Sequence, residues 1–147
     1  MADETLIGSK KLSDRIFATI IDYGLTFSLT ILYVIKVGHQ TEYGSYQVSG
    51  LYALVPVIFW FLYFPVVESV FDCTLGHWLM NLRVIRTNGT PIEFIPSVKR
   101  HLLDPIDFCL CGIPAMVAIS KTPKHQRLGD MWADTIVVKQ ENDKINK

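Results

Sequence analysis

The sequence predicts an all-α membrane protein with two full transmembrane helices, a third re-entrant or tilted membrane helix, and a small cytoplasmic β element. Of 147 residues, 50% are hydrophobic and 19% charged, against roughly 25% charged in an ordinary soluble domain. Residues 16–35 are an apolar run in which Asp22 is the one ionisable side chain other than tyrosine, and residues 50–67 carry no charge at all. At ~1.5 Å per residue, a helix of either length is about long enough for a ~30 Å hydrocarbon core. One membrane domain is expected over residues 1–139, with a polar tail at 140–147.

The first run is too long for a secretory signal, whose apolar region is typically ~7–15 residues, and no small-residue cleavage site precedes Lys36. Lys10, Lys11 and Arg15 stand at its start, whereas the loop at 36–49 holds only Lys36. Basic residues collect on the cytoplasmic side, so the N-terminus is expected there, in an inner or plasma membrane. Arg83, Arg86, Lys99 and Arg100 follow the second run and bring the chain back to that side.

The third apolar segment, residues 106–119, is followed by Lys121, Lys124, Arg127, Lys139, Lys144 and Lys147, which also belong in the cytoplasm. A full third span would put them outside. The segment also contains Asp107, Gly112 and Pro114, and the last two weaken a helix. Asp104 reads as an N-cap, Pro105 as the first helical position and Asp107 as a first-turn acid. A helix from there to Ile119 reaches only ~22 Å, so a segment that dips in and returns is preferred to a full span.

Leu82-Arg83-Val84-Ile85-Arg86 alternates apolar and basic residues before the turn dipeptide Asn88-Gly89, and Thr135-Ile136-Val137-Val138 is β-branched. Either a local hairpin or pairing between the two distant runs fits these patterns. Pro91 weakens the hairpin, and a re-entrant third segment leaves both runs on one side of the membrane.

Fourteen basic and fourteen acidic residues balance, which gives no support to nucleic-acid binding. There is no G-x-S-x-G, Walker loop or dinucleotide fingerprint, so an enzyme is not expected and no cofactor is implied. His39, His77, His101 and His125 are scattered, without ligand spacing for a metal. Cys73, Cys109 and Cys111 read as small apolar fillers.

The residues with chemical potential lie on the first helix and near the C-terminus. Arg15 and Asp22 are seven apart and project within roughly 20° of each other, with Thr19, Thr26, Thr30 and Tyr33 near the same stripe. A carboxylate inside a membrane helix is a functional candidate, since at the helix centre it costs about 2.5–3.5 kcal/mol to insert. Two roles fit Asp22: a titrating group biased by Arg15, or a pin that holds neighbouring helices. Glu68, at the end of the second run, is expected to reach water, so Asp22→Asn is expected to cost more function than Glu68→Gln. Arg127 and Asp130 are spaced to meet on one helical turn, with Gly129 between them allowing close backbone approach. The polar seam of Arg15, Thr19, Asp22 and Thr26 faces either another chain or the second span of its own, with Tyr52, Tyr63 or Glu68 as partners.

The ordered motifs resemble the RDD family of small integral membrane proteins, named for an arginine and two aspartates. Arg15, Ala18 and Asp22 are similar to its first helix, and Thr74-Leu75-Gly76 followed by Leu82-Arg83-Val84-Ile85 to its central segment. The N-G turn and Arg100 match as well, and Arg127, Leu128, Asp130, Thr135, Val137 and Val138 are similar to its closing signature. The chain departs from that pattern at His77, where lysine is frequent, and at Asp134, where glycine is common. The resemblance implies a membrane protein that transports a ligand, with sodium/proton-type exchange in some members. Expected partners are therefore the lipid bilayer, a small cation and protons, and a second copy or another membrane protein. A structural or accessory subunit of a membrane complex is the alternative.

Overall fold

The computed structural model describes residues 12–107 and 109–140, with the backbone alone at Leu110 and Cys111. Lys10, Lys11, Lys144, Lys147, the tail beyond Gln140 and the Cys111 side chain lie outside the described residues. Helix α1, Leu12–Val37, has 26 residues, and α2 spans Gly50–Phe71. Both are long and apolar enough to cross a membrane, with mean hydropathies of 1.6 and 2.0. Only 17% and 11% of those windows are buried. The core helix of a soluble protein would be mostly enclosed, whereas here Phe17, Ile20, Phe27, Val57 and Leu62 stand open on the surface. Apolar surface on that scale marks a partner or a membrane.

Helix α2 is not uniform. It opens with a 3-10 segment, Gly50–Leu54, and contains a π turn, Leu62–Val66, that includes Pro65. Proline supplies no backbone N–H, and the wider turn accommodates the missing bond. The loop between the spans forms a small hairpin of two-residue strands, with β1 (His39–Gln40) pairing antiparallel to β2 (Tyr46–Gln47), which the sequence pattern did not signal.

Beyond Phe71 the chain builds a compact polar-cored unit from α3 (Leu75–Leu79), β3 (Leu82–Arg86), α4 (Phe94–Leu102), α5 (Asp104–Asp107), α6 (Cys109–Lys121), α7 (Leu128–Trp132) and β4 (Thr135–Lys139). Strands β3 and β4 pair antiparallel in the register Leu82 to Lys139, Val84 to Val137 and Arg86 to Thr135. The Asn88-Gly89 turn folds back as well: Arg86 N–H donates to Thr90 O at 2.9 Å, and Ile85 bridges to Pro91. The helix expected from Asp104 to Ile119 is present over Asp104–Asp107 and Cys109–Lys121, and Gly112 within the latter has φ +81°. A left-handed residue breaks the helical path, and glycine adopts it without a Cβ clash.

One apolar cluster, Ala18, Leu82, Val84, Ile92 and Val137, lies at the centre, and Phe64 and Ile136 are enclosed as well. Around it are enclosed charges, including Glu68, Arg100, Asp107 and Asp130, each at most 1% exposed. The distribution inverts that of a soluble domain, with hydrocarbon outside and ions inside.

Candidate functional site: two linked polar centres

The first centre forms where α1 meets α3. Asp22 Oδ1 accepts the Tyr63 hydroxyl at 2.6 Å and the Gly76 N–H at 2.7 Å, and its Oδ2 accepts the Thr74 hydroxyl at 2.5 Å. The aspartate thus caps the start of α3, where backbone N–H groups lack helical partners. Close approach makes this possible. A Cβ on Gly76 would lie 2.2 Å from Ala18 O and 2.7 Å from Asp22 Oδ2.

Thr74 has one hydroxyl proton, committed to Asp22, so its 2.7 Å contact with His77 Nδ1 makes the imidazole the donor. Burial disfavours the His77 cation and lowers its pKa, outweighing the opposing pull of Asp22. His77 is therefore neutral at pH 7, with Nε2 as its acceptor nitrogen.

The second centre gathers residues from five elements. Arg15 Nη2 meets Asp130 Oδ2 at 2.6 Å, and its Nη1 donates to His125 O. Arg100 is shared between Asp130 Oδ1 and Glu68, with Nε to Oε1 and Nη2 to Oε2 both at 3.1 Å. Arg127 lies 2.9 Å from Asp104 Oδ1, 3.7 Å from Asp107 and 3.4 Å from Asp130 Oδ1. Three arginines thus face four carboxylates, and His101 supplies the remaining cation at 2.7 Å from Asp104 and 3.3 Å from Glu68. Burial works against that cation, but Glu68 and Asp104 together raise the pKa of His101 above its ordinary value. Burial alone would likewise raise Asp130, yet Arg100, Arg15 and Arg127 hold it far below the usual carboxylate range.

Backbone geometry fixes the cluster. Asp107 accepts the Leu128 and Gly129 N–H groups at 3.1 and 3.0 Å, and Asp130 Oδ2 accepts the Arg127 N–H at 3.1 Å. A Cβ on Gly129 would sit 2.4 Å from Arg100 O, so α7 lies directly on α4.

These contacts revise several sequence expectations. Arg15 serves Asp130 and His125 rather than Asp22. Glu68 is fully buried against Arg100 and Ser97 instead of reaching water, because its turn of α2 packs on α4. Asp107 caps the following helix α7 rather than the start of its own. The threonine stripe closes on its own helix: Thr19 donates to Arg15 O at 2.9 Å, Thr26 to Asp22 O at 2.7 Å and Thr30 to Thr26 O at 2.8 Å. The seam meets the second span of its own chain at Tyr63, one of the partners expected for it. Arg127 and Asp130 do meet, as their spacing implies. Arg100 entered the sequence reading only as a basic residue and a motif match and His101 had no assigned contact, while Asp104, read as an N-cap, gives its carboxylate to Tyr23, His101 and Arg127 instead. Their signal was an Arg-His pair followed three residues later by an aspartate.

Between α1 and α6 lies a cavity of about 320 Å³. Arg15, Arg100, Arg127 and His77 line it together with Thr19, and among the described residues none that lines it is acidic. The carboxylates paired with the three arginines are not among the described lining residues.

The family model described as the RDD family matches residues 10–134. No curated protein and no solved structure matches the chain.

Proposed function

The chain belongs to the RDD family, and we propose that this membrane protein acts in transport of a small ligand, taken up in the cavity between α1 and α6. The observation that carries the reading is the one-signed wall: among the described residues that line the cavity, the charged ones are all arginines. Exchange of a cation for protons at Asp22 draws less support. Its oxygens already receive three donors, and a cation must displace them to bind. The filled Asp22 site and the closed ion network favour the second reading, an accessory subunit whose charges lock its fold.

In the proposed arrangement the N-terminus, the β3–β4 sheet and the tail are cytoplasmic, in an inner or plasma membrane, and α6 belongs to a re-entrant segment. The hydrogen bonds from Leu128 and Gly129 to Asp107 support re-entry, since they bring both ends of that segment to one point. Two spans and a re-entrant helix enclose no path of their own, so a second copy or another membrane protein completes the transporter.

Liposomes containing only the purified protein distinguish the readings. Saturable uptake of methanesulfonate or propanesulfonate, which cannot cross as neutral acids, is the expected result. Proton flux driven solely by a sodium or potassium gradient would replace it with cation exchange, and the absence of both fluxes would leave the accessory role.

A further inference from the structure

The rest of the lining is largely hydrocarbon, with Ile16 and Ile20 on α1 and Met116 and Ile119 on α6. Ile16 and Ile20 also belong to the open outer surface, at 37% and 60% exposure, so the mouth of the cavity gives onto the zone that the spans present to lipid. Inside it, Arg15 uses only two of its five N–H donors in the contacts to Asp130 and His125. The volume, about 320 Å³, lies at the lower end of the ~300–1,000 Å³ range of small-molecule sites. That suits one chain and a compact head, not a diacyl lipid.

We infer that the cavity is a binding site for a single-chain anionic amphiphile, its carboxylate, sulfonate or phosphate head against Arg15 and its neighbours and its tail against Ile16, Ile20 and Met116. A guanidinium edge forms charge-assisted hydrogen bonds with such a head, and the tail gains free energy from every methylene it buries. A cation gains nothing from this wall, and a short anion forgoes the hydrocarbon contact. The assignment names the ligand class for the transport reading above and rests on its choice of cavity, but binding is separable from movement.

The test is equilibrium binding of radiolabelled octanesulfonate to the full chain in phosphatidylcholine nanodiscs, with empty nanodiscs as background. Saturable binding of one molecule per chain is expected, at least tenfold tighter than that of methanesulfonate or octyltrimethylammonium. Ile20→Trp and Met116→Trp fill the cavity from opposite sides without touching the ion network, and each should weaken binding at least tenfold in protein of unchanged melting temperature. No saturable binding, equal binding of the cationic analogue, or undiminished binding by a folded tryptophan variant overturns the inference. Displacement by phosphatidylglycerol at equal molarity also overturns it, by giving the site to a diacyl lipid. Binding without uptake in liposomes would uphold the site and sink transport. Uptake of methanesulfonate with no gain from the octyl chain would do the reverse.

Discussion

Arg15 and Asp130, 115 positions apart in the chain, meet at 2.6 Å and join the first turns of α1 to α7. Asp130 also receives Arg100, so this one carboxylate ties the first span to the unit that follows the second. An arginine left without its buried carboxylate is costly, because desolvation is no longer offset. Asp130→Asn is therefore expected to destabilise the protein by about 3–5 kcal/mol. Thermal unfolding in detergent checks this, and Arg15→Met combined with Asp130→Asn should recover part of the loss.

Glu68→Gln should destabilise more than Asp22→Asn. The first removes a buried negative charge that faces Arg100 and His101 and leaves Arg100 with Asp130 alone, whereas the donors to Asp22 are the neutral Tyr63, Thr74 and Gly76 groups, and the amide keeps a carbonyl oxygen for them. Melting temperatures of the two variants side by side give the order.

Gly76→Ala should cost about 1–3 kcal/mol as an overpacked contact, since its methyl would run into the backbone of Ala18. Gly24 has nothing within 4 Å of a Cβ, and Gly24→Ala on the same α1 should cost no stability. The pair separates tight helix approach from a general aversion to side chains.

Asp134 has φ +53°, a conformation that costs a non-glycine L-residue roughly 1–2 kcal/mol. The side chain is exposed, so Asp134→Gly should raise the melting temperature. A fall would mean that the aspartate has a compensating contact.

Stability should peak near pH 6.5, the ordinary histidine pKa being about 6.5. His101 has a raised folded pKa, so its contribution is complete below that pH and is lost as pH rises through the raised value. His77 has a lowered folded pKa, so stability falls as pH drops from about 6.5 through it. Melting temperature against pH should flatten on the alkaline side in His101→Gln and on the acid side in His77→Gln.

The sequence is most legible where one residue type decides the outcome locally. Charge-free length marks the two spans, alternation marks β3, and β-branching marks β4. The Arg127–Asp130 contact follows from helical spacing alone. Arg15–Asp130 and Glu68–Arg100 do not, because each partner is chosen by packing between elements far apart in the chain. Glu68 looked solvated for that reason: its neighbours in sequence leave it at a helix end, and only α4 buries it. The same holds for Asp22, whose partners Thr74 and Gly76 arrive through the docking of α3.

The most direct test of the cavity as the route is to close it. In a background with Cys73, Cys109 and Cys111 replaced by serine, Ile16→Cys and Met116→Cys are introduced on α1 and α6 and joined by a short cleavable bis-maleimide. Uptake of propanesulfonate into liposomes should stop on crosslinking and return on cleavage. Undiminished uptake by fully crosslinked protein would contradict the account.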